Sequence, residues 1–171
     1  TVLNGKLWVA GGYNATEQHM QWLRVYDSGS NTWTLMADMP TARSWHASAT
    51  LDGKLFAIGG WNAGTPSALR SVEIYNPGTN SWSTGPDLPL PLKDVSAVTD
   101  AANGRILVVG GTTGDGASGA EVTYRVALEL KPGSTPSGYQ WGFLNGYPSS
   151  GAGVAGALVN GRLHGFGGRP A

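Results

Sequence analysis

Six residues of this chain combine side-chain types that recognise ligands: Tyr13 and Asn14, Trp61 and Asn62, and Arg43 with His46. Gly12-Tyr13-Asn14-Ala15 and Gly60-Trp61-Asn62-Ala63 repeat one order, an aromatic ring and then an amide, each just after a Gly-Gly pair. A flat ring beside an amide suits a sugar ring or a peptide side chain: the ring supplies apolar area, the amide a donor and an acceptor. The same rings would equally serve as packing against a neighbouring sheet. Arg43 and His46 offer a permanent cation and a titratable imidazole, which suits a ligand carboxylate. Arg capping loop carbonyls and His bonded to backbone is the alternative, and both stay open. Glu17, His19 and Asp115 could add polar contacts, or simply be solvated loop residues.

Other chemistry finds no support. Gly114-Asp115-Gly116-Ala117-Ser118-Gly119 matches G-x-G-x-x-G, but a dinucleotide fingerprint needs a helix next. Instead the chain continues with Val122, Tyr124, Val126, Leu128 and Leu130 in strict alternation, which predicts a strand. Three separated histidines without cysteine or H-E-x-x-H form no metal signature, and G-x-S-x-G is absent. No catalytic residue, metal or cofactor is therefore assigned. Asn14-Ala15-Thr16 is a glycosylation sequon, meaningful only in a secretory eukaryotic host.

Composition narrows the partners. The 171 residues hold 11 basic and 11 acidic side chains, so neither nucleic acid nor an anionic membrane surface is expected. No apolar run approaches the ~18 residues of a membrane helix. Hydrophobic content of 40% is enough for a core. The chain is rich in two residues, with 27 Gly and 7 Trp, which favours short strands, tight turns and large apolar wedges. Low Lys with abundant Gly, Ser, Thr, Asn and Trp favours an extracellular or cell-envelope setting.

The elements that carry these residues repeat. Asn4-Gly5-Lys6, Asp52-Gly53-Lys54, Asn103-Gly104-Arg105 and Asn160-Gly161-Arg162 recur at intervals of 48, 51 and 57 residues, each leading into a short apolar run that ends in Gly-Gly. Asn-Gly and Asp-Gly suit two-residue hairpin turns, whose central positions need positive φ. Tyr26 precedes Trp33, and Tyr75 precedes Trp82, by seven residues, across a second turn. One unit thus has four strands: a over Ser44–Leu51, b over Lys54–Gly60, c over Ser71–Asn76 and d over Ser81–Thr84. Strand a is built of small residues (Ala47, Ser48, Ala49; Ser96, Ala97; Ala155, Gly156, Ala157), as crowding around a common axis requires. A four-stranded unit recurring every ~50 residues predicts an all-β propeller.

The Gly-Gly pairs, the Tyr26/Trp33 and Tyr75/Trp82 pairs and Arg43-Ser44-Trp45-His46 before Asp52-Gly53-Lys54 resemble the kelch repeat. The third unit reads as having Tyr124 in the Tyr position and Trp141 seventeen residues later, with an insertion around Lys131 to Gly138 lengthening the c–d connection. The resulting expectation is a partial kelch-type β-propeller of about three four-stranded blades plus half of another: blade I strands b–d within 1–35, blade II 43–84, blade III 93–144, blade IV strands a–b within 153–168. Because propellers close with roughly 4–8 blades, the remaining blades are expected from the same longer chain, the favoured reading, or from a second copy.

The resemblance also implies that b–c and d–a loops gather around the mouth of the central channel. The b–c loops are 13–21, 61–68 and 112–120; the d–a loops are 36–43, 85–93 and 145–151. Three functions are expected on this basis. The first is a non-catalytic module binding a protein or peptide. The second is a carbohydrate-related protein, similar either to a sialic-acid epimerase or to part of a galactose-oxidase-like enzyme; the latter type uses copper with a cysteine-linked tyrosine, which a chain without cysteine cannot supply. The third is a structural segment of a larger secreted protein.

Overall fold

The computed structural model describes residues 1–16, 18–65, 67–114, 122–145 and 153–168. Among them every extended element is a strand of an antiparallel sheet, and the only helical turn is a 3-10 turn at Ala101–Asn103. Three sheets have four strands each. Blade I contains β1 (Val2–Leu3), β2 (Lys6–Ala10), β3 (Leu23–Asp27) and β4 (Thr32–Met36). Blade II contains β5 (Ala47–Leu51), β6 (Lys54–Ile58), β7 (Val72–Asn76) and β8 (Ser81–Thr84). Blade III contains β9 (Ser96–Asp100), β10 (Arg105–Val109), β13 (Ala127–Pro132) and β14 (Tyr139–Phe143), with a small ribbon of β11 (Thr112–Thr113) and β12 (Val122–Thr123) in its b–c loop. Blade IV keeps the hairpin β15 (Ala155–Val159) and β16 (Arg162–Phe166). This is the expected partial propeller.

The first strands of neighbouring blades pack side by side. Thr99 Oγ donates to the Thr50 carbonyl at 2.8 Å, tying β9 to β5. A Cβ on Gly156 of β15 would lie 2.7 Å from the Ser96 hydroxyl, so the small residues of strand a answer to that crowding. Between blades the space is filled by large side chains. Trp8 of blade I meets Tyr75 of blade II with ring centroids 5.5 Å apart, and Phe56 of blade II meets Tyr139 of blade III edge-on at 5.1 Å. The outer-strand Trp of blades II and III then fastens its blade to the preceding one: Trp82 Nε1 donates to the Ala37 carbonyl at 2.8 Å and Trp141 Nε1 to the Pro86 carbonyl at 2.9 Å. Tyr139 adds a further tie, donating to Asp52 at 3.1 Å; burial, then Asp52, push its pKa up to about 12.

Val2 and Leu3, which align with Thr50-Leu51 at the end of strand a, pair with Leu7 and Lys6. Three sequence expectations are corrected at the level of residues. Strand a of blade II starts at Ala47; Ser44 instead makes an isolated bridge with Trp61. In blade III the residue equivalent to Tyr75 is Leu130, not Tyr124. Tyr75 pairs with Leu55 and Trp82, and Leu130 pairs with Ile106 and Trp141. The turn from β13 to β14 occupies 133–138, only slightly longer than 28–31 and 77–80, so most of the extra length precedes strand c. The alternation from Val122 to Leu130 misled because the chain stays extended while it changes partner: Val122–Thr123 pairs with Thr112–Thr113, and the blade strand begins only at Ala127.

Candidate functional site

Strand a of each later blade is preceded by one residue in left-handed backbone geometry: Trp45 at φ 52°, Asp94 at φ 54° and Gly153 at φ 67°. These three residues are linked from blade to blade. Asp94 N–H donates to the Trp45 carbonyl at 2.8 Å, and Gly153 N–H to the Asp94 carbonyl at 3.0 Å. The slot is thus a property of the scaffold. Gly enters it freely and Asp tolerates it, whereas a bulky residue costs about 1–2 kcal/mol there. Blade II places a tryptophan in it, and leaves that indole 42% exposed.

Trp45 belongs to an aromatic cluster drawn from blades I and II. It stacks on Trp61 (centroids 5.5 Å apart, planes 24° apart), with Tyr13 at 5.9 Å and His19 at 6.1 Å. His19 also meets Trp61 edge-on at 4.8 Å, and its Nδ1 lies 2.8 Å from the Ser44 hydroxyl; burial lowers its pKa. From blade III the Lys93 ammonium reaches to 5.3 Å from the Trp45 ring and 5.8 Å from the Trp61 ring, within cation–π range. Backbone bridges fix the origin of each group: Tyr13 pairs with His19, Ser44 with Trp61 and Lys93 with Thr112. Close approach needs the second glycine of the Gly-Gly pair. Gly60 sits at φ 97°, and a Cβ there would come within 2.6 Å of the Ser44 carbonyl oxygen.

The six residues singled out by sequence do not all meet here. Tyr13, 58% exposed, and Trp61 are in the cluster. The amides are used within the chain: Asn14 Oδ1 accepts the N–H groups of Thr16 and Gln18, while Asn62 Oδ1 accepts from Gly64 N–H and its Nδ2 reaches the neighbouring d–a loop, donating to the Ala42 carbonyl. Arg43 is fully buried. Its guanidinium donates to the carbonyls of Gly59 and Ser71 and pairs with Glu73 at 2.9 Å. Burial lowers its pKa and Glu73 acts against that. The matching positions of blade III hold Leu92 and Leu128, both fully buried, so the ion pair occupies a place that an apolar pair fills one blade later. His46 lies behind the cluster, close to Gly11 and Gly60, with Nδ1 unpartnered; burial, then the Arg43 charge, hold its pKa down to about 3. Glu17, Asp115 and the Gly-rich stretch after Gly114 lie outside the described residues.

Sequence reading missed Trp45 as a site residue. The signal was available: the repeat alignment that sets His46 opposite Val95 and Val154 also sets Trp45 opposite Asp94 and Gly153, two residues that announce positive φ. Among the described residues no three His, Asp or Glu side chains converge as a metal site.

A family model described as "Kelch motif" matches residues 1–40 and 42–89, just over half of the chain. The F-box/kelch-repeat protein SKIP4 of Arabidopsis thaliana is 35% identical over 115 residues, which is 66% of this chain and 31% of that protein. The influenza virus NS1A-binding protein homolog of Mus musculus is 40% identical over 60 residues, 35% of this chain and 9% of that protein. A galactose oxidase of Gibberella zeae is 41% identical over 63 residues, 36% of this chain and 8% of that enzyme. The chain therefore spans less than a third of the length of these relatives. A solved structure described as "Structure of YjhT" superposes with a TM-score of 0.76 at 18% identity, covering 98% of this chain and 57% of that one. At that identity the likeness concerns the fold.

Proposed function

The chain belongs to the kelch-repeat family, and from that premise we propose that it is a non-catalytic binding module that recognises a protein or peptide through its b–c and d–a loops. The observation that carries this reading is the mouth cluster. Exposed rings of Tyr13 and Trp45, supplied by two blades, stand on a rigid scaffold where loops converge. Aromatic side chains of this kind, once buried against a partner, dominate the energetics of protein recognition. The name of one relative, an influenza virus NS1A-binding protein homolog, describes a protein-binding role for that protein.

A peptide-display selection against the purified protein tests the reading. Selected peptides should lose at least about tenfold in affinity on Tyr13→Ala, and should be indifferent to substitution of Asn103 in the turn between β9 and β10. Peptides unaffected by Tyr13→Ala, or no selected peptide at all, would refute it. A second reading, carbohydrate recognition at the same rings, is supported by the match to galactose oxidase over 63 residues. A glycan array read alongside the peptide selection separates the two.

A further inference from the structure

We propose that the Trp45–Trp61–Tyr13 cluster is a docking site for a proline-rich peptide segment in extended, polyproline-like conformation. The proposal deepens the peptide-binding reading above and rests on it. Two independent observations lead to it, one conformational and one from hydrogen-bond accounting.

The conformational observation is the identity of the residue in the left-handed slot. Blades III and IV fill it with Asp94 and Gly153, which the geometry accepts readily. Blade II fills it with Trp45, which does not fit the geometry and remains substantially exposed. Its contacts with Trp61, Tyr13, His19 and Lys93 offset part of that strain, yet they leave 42% of the residue open to solvent. An exposed indole held in unfavourable backbone geometry is the pattern of a residue retained for what it contacts.

The second observation is a pair of buried polar groups without partners beside the cluster. Each backbone carbonyl around the cluster already takes one hydrogen bond: that of Arg43 from Gly12 N–H, that of Ser44 from Trp61 N–H, that of Trp45 from Asp94 N–H, and that of Lys93 from Thr112 N–H. The side-chain carbonyls of Asn14 and Asn62 are committed to their own loops. Lys93 and Asp94 are engaged within the chain as well. Two buried polar groups nonetheless lack any partner. Trp61 Nε1, which can only donate, has no partner, and neither has the hydroxyl of Thr112, a residue that is 1% exposed.

A ligand for such a site offers acceptors, brings few donors and presents a flat apolar surface. Polyproline meets all three conditions: each residue carries a carbonyl and no N–H, and the pyrrolidine ring lies flat on an aromatic face. Sugar hydroxyls bring donors as well as acceptors, whereas the orphan indole N–H calls only for an acceptor. A cationic ligand is disfavoured because the Lys93 ammonium already stands against both indoles. The orphan donors are screened from solvent, so engagement requires rotamer changes at Trp45 and Trp61, of the kind common at interfaces.

The test is titration of the purified protein with acetyl-oligoproline, monitored by tryptophan fluorescence and calorimetry, beside a proline-free peptide of equal length and cellotetraose. Trp45→Asp installs the blade III residue. It should weaken oligoproline binding by at least about tenfold while leaving the melting temperature unchanged or raised, since the backbone strain is relieved. Trp61→Phe keeps the ring but deletes the N–H, and should weaken binding several-fold; it serves where Trp45→Asp does not fold. Oligoproline binding that survives both substitutions overturns the proposal. Failure of oligoproline while proline-free peptides bind through Tyr13 overturns it and leaves the peptide-binding reading standing. Binding of cellotetraose with no peptide of either kind overturns both.

Discussion

Arg43 and Glu73 form the kind of buried pair that is easy to mistake for a ligand site, and the next blade shows how to treat it. A buried ion pair contributes little beyond an apolar pair of similar volume, but breaking it leaves an uncompensated charge. Arg43→Leu alone should therefore destabilise by about 3–5 kcal/mol, because Glu73 keeps only the weak 3.4 Å bond from Thr41 N–H. The double substitution Arg43→Leu, Glu73→Leu copies Leu92 and Leu128 and should recover most of that loss. Urea denaturation of the two single variants and the double variant measures this; additive losses would show that the pair is not a unit.

His46 makes a second argument at the same scale. Its folded pKa of about 3 lies below the value near 6.5 of an unfolded imidazole. Between those values the unfolded chain binds the extra proton. Stability is therefore lost as pH falls below about 6.5, and the loss continues until about pH 3. Val95 occupies the equivalent position in blade III, so His46→Val removes the titration without leaving a polar hole. Its urea midpoint should fall less than that of the unsubstituted protein between about pH 7 and pH 5, above the main carboxylate range. Equal slopes would mean that His46 is not protonated on unfolding in this window.

At the scale of elements, the c–d turns show how a local device becomes a tertiary one. Asn31 and Asn80 both adopt positive φ and both accept a hydrogen bond from the tyrosine five residues earlier, Tyr26 or Tyr75. Asn80 does more: its side-chain oxygen also accepts Ala37 N–H from the preceding blade. Asn80→Ala should cost about 2 kcal/mol, through two lost hydrogen bonds and a Cβ-bearing residue without local compensation in the left-handed region. Asn31→Ala, with one such bond, should cost about 1 kcal/mol less. Thermal melts of the two variants compare them directly. Equal losses would place the effect in the turn and not in the link between blades.

Across the whole molecule, the blades are alike in plan and different in which faces are covered. Leu55 and Ala57 on one face of blade II are fully buried, Leu55 in a cluster with Trp8, Leu23 and Val25 of blade I. Leu7 and Val9, their counterparts in blade I, are 41% and 44% exposed. The same pattern of residues thus reads as core in one blade and as open surface in another. A burial forecast from pattern alone treats them identically.

That contrast marks the boundary of what could be read from the chain. Repeat length, the four-stranded unit, the hairpin turns and the small residues of strand a were all legible, because local backbone preference and side-chain volume at a fixed period admit few architectures. The register of blade III was not legible: an extended alternating segment carries no mark of which partner it pairs with, and only the sheet assigned Leu130 rather than Tyr124 to the interblade position. The site divided in the same way. Tyr13 and Trp61 were visible beside their glycines. The withdrawal of Arg43, Asn14 and Asn62 into internal bonds, and the meeting of Trp45 and Lys93 with Trp61, were settled by tertiary packing. Hydrogen-bond partners and exposure are properties of neighbours distant in sequence, and no single repeat contains them.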